Sequence, residues 1–220
     1  MKKSLTILAM GAMLGLGACS DPGVVARAMD PGMPLLGGDG GAVRPAPSYR
    51  VREVRVSVPE TLKVSEANSY KPRADIVWRG DPIGNRYEQV AAVMKEGIER
   101  GVAGLDGSRE VVLEVEVATF HALTQKARYT VGGTHDINFW LTIRDARTGE
   151  VIEPRRYIDT DLKALGGVAA IAAEAHGETQ KVRIEAFLAD YMRNLLTTPH
   201  MIPADPAPAV AQADAAPAQG

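Results

Sequence analysis

The residues able to do chemistry in this 220-residue chain are few: one cysteine, four histidines and a scatter of carboxylates. His121, His135, His176 and His200 stand at no metal-ligand spacing from one another or from a carboxylate pair, so no metal is expected. His135 followed by Asp136, just after Gly133, is the one suggestive neighbour pair. A strand-end histidine bonded to backbone is the expectation there, with a ligand or base as the alternative. Asp159 and Asp161 fall on one face of a strand, the arrangement a carboxylate pair needs, although a solvated outer face is the expected role. The chain has no G-x-S-x-G and no phosphate loop. No catalytic residue and no cofactor is therefore expected.

The single cysteine has a different chemistry. Met1-Lys2-Lys3 is a short basic opening, and residues 5–16 are apolar or small, broken only by Thr6. That is a signal-peptide core, too short for the ~20 apolar residues a membrane span needs. It ends in Leu16-Gly17-Ala18-Cys19, which resembles a bacterial lipobox. The resemblance implies removal of residues 1–18, acylation of Cys19 on sulfur and acylation of the new amino terminus. Several acyl chains anchor a protein stably where one does so only marginally. In the sorting rule of enteric lipoproteins an aspartate directly after the cysteine retains the protein in the inner membrane. Here Ser20 follows and Asp21 comes next, which favours the periplasmic face of the outer membrane, with the inner membrane as the alternative.

Residues 19–48 repeat Asp-Pro-Gly and then run through Gly37-Gly38-Asp39-Gly40-Gly41 and Pro45-Ala46-Pro47. This is a tether, with a coil reach of about 30 Å. Residues 198–220, rich in alanine and proline, are expected to be disordered. Between them, residues 49–197 are one domain, large enough to bury a core without disulfides. The 25 basic and 27 acidic residues are interspersed, so a mixed solvated surface is expected and nucleic acid is not.

Periodicity supplies the elements. Val54, Val56 and Val58 alternate while Val51 falls on the other parity, so a strand with a bulge near Arg52 is expected. Residues 75–78 are a short extended piece closed by a turn over 79–84. Asn85 then caps a helix whose Val90, Met94, Ile98 and Val102 recur in steps of four. Residues 110–120 alternate as a strand, residues 126–131 are expected to be extended, and Ile137, Phe139, Leu141 and Ile143 give the clearest period of two. A return strand follows over 150–162, placed at an edge by Pro154. Residues 168–174 make an alanine-rich helical turn or two, expected to pack against the domain instead of touching a membrane. Residues 178–196 form a long helix with Ile184, Leu188, Tyr191 and Leu195 on one face.

The order strand, helix, three antiparallel strands, helix predicts an α+β two-layer sandwich: an antiparallel sheet of about four strands with two helices on one face. That order is similar to periplasmic domains of envelope lipoproteins, including auxiliary lipoproteins of transporters and subunits of the curli secretion pore. No paired long alternating segments suited to membrane hairpins are present, which separates the chain from the latter. A closer resemblance lies in residues 75–82 (DIVWRGDP), 127–133 (ARYTVGG) and 179–184 (TQKVRI). They resemble alphaproteobacterial lipoproteins carrying a domain of unknown function, a likeness that spans residues 50–196 and implies no activity.

Two scarce aromatics complete the candidates. Trp140 falls on the face opposite Phe139 and Leu141. Either residues 60–84, with Trp78, cross that face and bury it, which is the expectation, or Trp140 anchors a partner or a second copy. Trp78, Arg79, Asp81, His135 and Trp140 are thus the candidate partner or ligand surface. The leading reading is a non-enzymatic binding or assembly module. The alternatives are a hydrolase using His135 with Asp159 or Asp161, and a small-molecule or cell-wall binder near Arg79 and Asp81.

Overall fold

The computed structural model describes residues 48–199, together with the strand backbone of Ala42–Val43 and Met201–Ile202. Cys19, the expected signal segment and most of the expected tether and tail lie outside the described residues. In order the elements are β1 (Ala42–Val43), β2 (Tyr49–Ser57), β3 (Ile76–Val77), α1 (Arg86–Val102), β4 (Arg109–His121), α2 (Gln125–Arg128), β5 (Gly133–Asp145), β6 (Val151–Ile158), β7 (Asp161–Ala164), α3 (Gly167–Ala175), α4 (Gln180–Thr197) and β8 (Met201–Ile202).

The main sheet is mixed and has six strands, in place of the four-stranded antiparallel sheet expected. The order is β2-β4-β5-β6, with β3 beside the end of β4 and β7 beside the start of β5. The reason is α1, a crossover that returns the chain to the end at which β2 began, so that β4 must run parallel to β2. β3 is parallel to β4 as well, while β5, β6 and β7 pair antiparallel. Pro154 sits in β6, an edge strand, as the missing N–H requires. The return strand breaks between β6 and β7. Residues 126–131 are not extended: Thr124 Oγ1 accepts the Ala127 N–H at 3.2 Å and starts the single turn of α2. β1 pairs antiparallel with β8, Ala42 opposite Ile202, so ordered pairing reaches into both the tether and the tail.

Two bulges set which side chains meet. The register shift between Val51 and Glu53 returns Val51 to the face of Val54. A second, between Val117 and Thr119, reverses parity so that Phe120 follows Val117 into the core. There its ring meets Trp78 edge-on at a centroid distance of 5.6 Å.

The core lies between one sheet face and a layer of α1 and α4. Val90, Met94 and Ile98 of α1 and Ile184, Leu188, Met192 and Leu196 of α4 share it with Val111, Leu113, Val115 and Val117 of β4 and Ile137, Phe139, Leu141 and Ile143 of β5. Tyr191 and Leu195, expected on the buried stripe of α4, are only partly buried at its margin, because the stripe that faces the sheet runs through Met192 and Leu196. The two helices touch through glycine. A Cβ on Gly101 would collide with the Ala189 backbone, and one on Gly97 would stand 2.9 Å from Leu188 Cβ. Contacts advance together along both helices, which therefore run parallel.

Candidate functional site

The turn after β3 draws three of the expected site residues together, and binds them inward. Trp78 is fully buried, and its indole N–H donates to Asp81 Oδ2 at 2.8 Å. Asp81 Oδ1 accepts from Lys181 Nζ of α4 at 3.0 Å. Arg79 donates to Gln125 and, at 2.7 Å, to the Glu66 carbonyl. Beside them the buried Arg86 donates to both Glu66 carboxylate oxygens, at 2.6 and 3.0 Å. The Arg86 bonds hold the Glu66 carboxyl below the usual glutamate range. Gly80 permits the arrangement, since a Cβ there would run into the Trp78 ring. Residues 60–84 thus build out the β3 edge and the start of α1; Tyr87 of α1 donates to the Leu62 carbonyl at 2.9 Å. Of residues 60–84 only Tyr70 and Lys71 reach the second sheet face, at the rim of a groove beside His121 and Asn138, and none lines the groove around Trp140, contrary to expectation.

His135 is separated from Asp161, one of the two aspartates with which the hydrolase alternative combines it. In β5 it stands opposite Leu162, whereas Asp136 stands opposite Asp161. Strand alternation therefore places His135 and Asp161 on opposite faces. His135 is buried, and its Nδ1 accepts the Leu123 N–H at 3.3 Å. Burial, reinforced by Arg183 and Arg128, lowers its pKa to about 4. The expected backbone-bonded histidine is what is found.

The histidine brought to the aspartates is His121. It pairs across the strands with Asp136, which pairs with Asp161. A groove of about 570 Å³ contains His121, Asp136, Asn138, Asp159 and Asp161. Burial pushes the His121 pKa down, against the opposing pull of Asp136. Sequence reading missed this row because strand register, which no local pattern fixes, creates it. Among the described residues no group of three or more His, Cys, Asp or Glu side chains could hold a metal ion.

Trp140 lies further along the same open face. Arg155 stacks over its ring at 4.1 Å, and Tyr157 meets it edge-on at 4.9 Å. Around them Arg155 pairs with Glu116 at 2.8 Å and Arg144 with Glu114 at 2.7 Å. A shallow groove of about 400 Å³ runs through these side chains.

A fourth place was not anticipated. α3 buries only Ala170 and exposes Val168 at 83% and Ile171 at 53%. Val131, 74% exposed, lies at the close glycine crossing where the backbones of residues 131–132 and Gly166 meet, just before α3. The expected packing of this helix is realised through Ala170 and through Glu174, which pairs with Arg128 at 3.1 Å and accepts from the Tyr129 hydroxyl at 3.0 Å. A short apolar helix gives no periodic signal by which its exposed side could have been read.

A family model matches residues 49–212. The chain belongs to the DUF6778 family, a family of unknown function. No curated protein matches it. Among solved structures, this DUF6778 chain is similar to a DUF330 protein from Xanthomonas campestris, at 12% identity over 71% of this chain and 91% of that one, with a TM-score of 0.42. It is also similar to a minor lipoprotein from Acinetobacter baumannii, at 11% identity over 68% and 98%, TM-score 0.27. A third is a PelC dodecamer from Paraburkholderia phytofirmans, at 11% identity over 72% and 94%, TM-score 0.32. Among the described residues of the DUF6778 chain, no helix is long and apolar enough to cross a membrane.

Proposed function

We propose that the chain is an envelope lipoprotein, acylated at Cys19 and held at the periplasmic face of the outer membrane, whose domain is a non-enzymatic docking module for a protein partner. The observation that supports the docking role is the exposed apolar corner of Val131, Val168 and Ile171. Exposed apolar clusters of this kind mark interaction surfaces. Its position favours a protein over the anchoring lipid. The tether enters at Tyr49, which pairs with Arg109 at the start of β4, whereas the corner adjoins Gly133 and Ala164 beyond the other end of β4. A strand of this length separates the two by roughly 40 Å.

The test is crosslinking in intact cells, comparing the native chain with Ile171→Glu, a substitution at an exposed position. A partner captured by the native chain and lost by the variant is the expected result. Identical capture by both, or a chain that crosslinks to nothing, overturns the reading.

A second reading is favoured by the row His121, Asp136 and Asp161, which is where a hydrolase or small-molecule site would have to be built in place of His135. A ligand stabilising the native chain but not His121→Ala in thermal unfolding would support it. The polar groups of Arg79 and Asp81 are already engaged within the fold, which removes them from a ligand cleft.

A further inference from the structure

We propose that the open face of the sheet binds a neutral oligosaccharide, laid along β5 over Trp140. The surface is long, aromatic at its centre, rich in donors and acceptors, and electrically balanced. Asn138, Trp140, Thr142 and Arg144 alternate along β5 onto this face, so the two grooves of about 570 and 400 Å³ lie in line. Tyr70 and Lys71 stand at the rim of the larger groove, and Asn138, between the two, is buried with its amide bonded to Asp136 and Thr160, so a linear ligand would lie over it from one groove to the other.

Charge narrows the ligand. Arg55 pairs with Glu53 and, at 3.7 Å, with Glu114, while Arg144 and Arg155 pair with Glu114 and Glu116. Every guanidinium around Trp140 thus has a carboxylate beside it, which denies a polyanion its counter-charge and a polycation the reverse. Toward the other groove the carboxylates of Asp136, Asp159 and Asp161 outnumber the one ammonium, Lys71, and further exclude a polyanion. A polyhydroxylated neutral chain suits both halves: its hydroxyls can donate to the carboxylates and accept from the guanidiniums, and its apolar ring faces can lie on aromatic rings. Tyr157, 45% exposed, and Trp140, one face of which Arg155 already covers, supply those rings.

The site is distinct from the α3 corner, and the experiment separates them. The full chain in detergent is titrated with a tetramer of β-1,4-linked N-acetylglucosamine and with maltotetraose, reading tryptophan emission. Trp78 is fully buried, so a change reports Trp140. Saturable binding of at least one saccharide is expected, weakened tenfold or more in Arg155→Ala and Tyr157→Ala, both at exposed positions, and unchanged in Ile171→Glu. Trp140→Ala, followed by calorimetry, should lose binding equally. No response to either saccharide at about 10 mM, where even a dissociation constant of about 10 mM would register, overturns the proposal. So does binding that the Arg155 and Tyr157 variants retain in full. Failure of the crosslinking test leaves this result unaffected.

Discussion

The hydroxyl of Tyr49 donates to Glu153 Oε1 at 2.7 Å, joining β2 and β6 although β4 and β5 lie between them. Both side chains are buried beneath the helices, and Arg156 Nη2 stands 3.3 Å from the other carboxylate oxygen. A buried carboxylate is costly unless bonded, so this contact ties the two edges of the sheet together. Tyr49→Phe removes one donor from Glu153 and should cost about 1–3 kcal/mol in urea unfolding, with the fold retained. No loss of stability would show that the carboxylate is satisfied without it.

Gly101 lies where α1 and α4 cross most closely. Gly101→Val places side-chain atoms against the Ala189 backbone and should cost about 3 kcal/mol or more, seen as a lowered melting temperature. Gly104, where an added Cβ would have nothing within 4 Å, is the control: Gly104→Ala should change stability by less than about 1 kcal/mol.

Acid should weaken the fold through His135. Its folded pKa, about 4, lies below the ordinary histidine value of 6.5, so the unfolded chain takes up the proton first as pH falls. Its contribution is complete above pH 6.5 and is lost toward pH 4, on the order of 3 kcal/mol. Glu66, held below the ordinary glutamate value by Arg86, loses its contribution only at lower pH. A pH series of urea midpoints should fall between pH 6.5 and 4 in the native chain and fall less steeply in His135→Gln, the remainder including His121, whose pKa burial also lowers. Equal slopes in the two would refute the assignment.

Trp78→Phe keeps a ring against Phe120 but removes the donor to Asp81. Asp81 keeps Lys181, so a loss of about 1–3 kcal/mol is expected, measurable by thermal unfolding.

Much of the chain could be read before it was folded. The alternation of Val54 to Val58 and of Ile137 to Ile143, the cap at Asn85, the bulge near Arg52 and the edge position of Pro154 all depend on neighbours a few residues away, and local backbone geometry fixes them. The buried stripe of α1 follows for the same reason. The parallel pairing of β2 with β4 was missed because it depends on where α1 sends the chain. The parity reversal at Ala118 was missed because a single core residue of the strand, Phe120, follows it to mark the change, and α2 because one capped turn has no period.

Residue order alone settled most local features: the principal strands and helices, though not α2 or the break between β6 and β7, and, in Leu16 to Cys19, the expectation of an anchor. Which side chains meet was settled by the folded domain. It turned His135 into the core and His121 toward the aspartates, engaged Arg79 and Asp81 in internal bonds, left Trp140 on an open face and exposed α3. The physical reason is register: one residue of slip between strands exchanges the two faces of a sheet, and that choice is made by the packing of the whole domain.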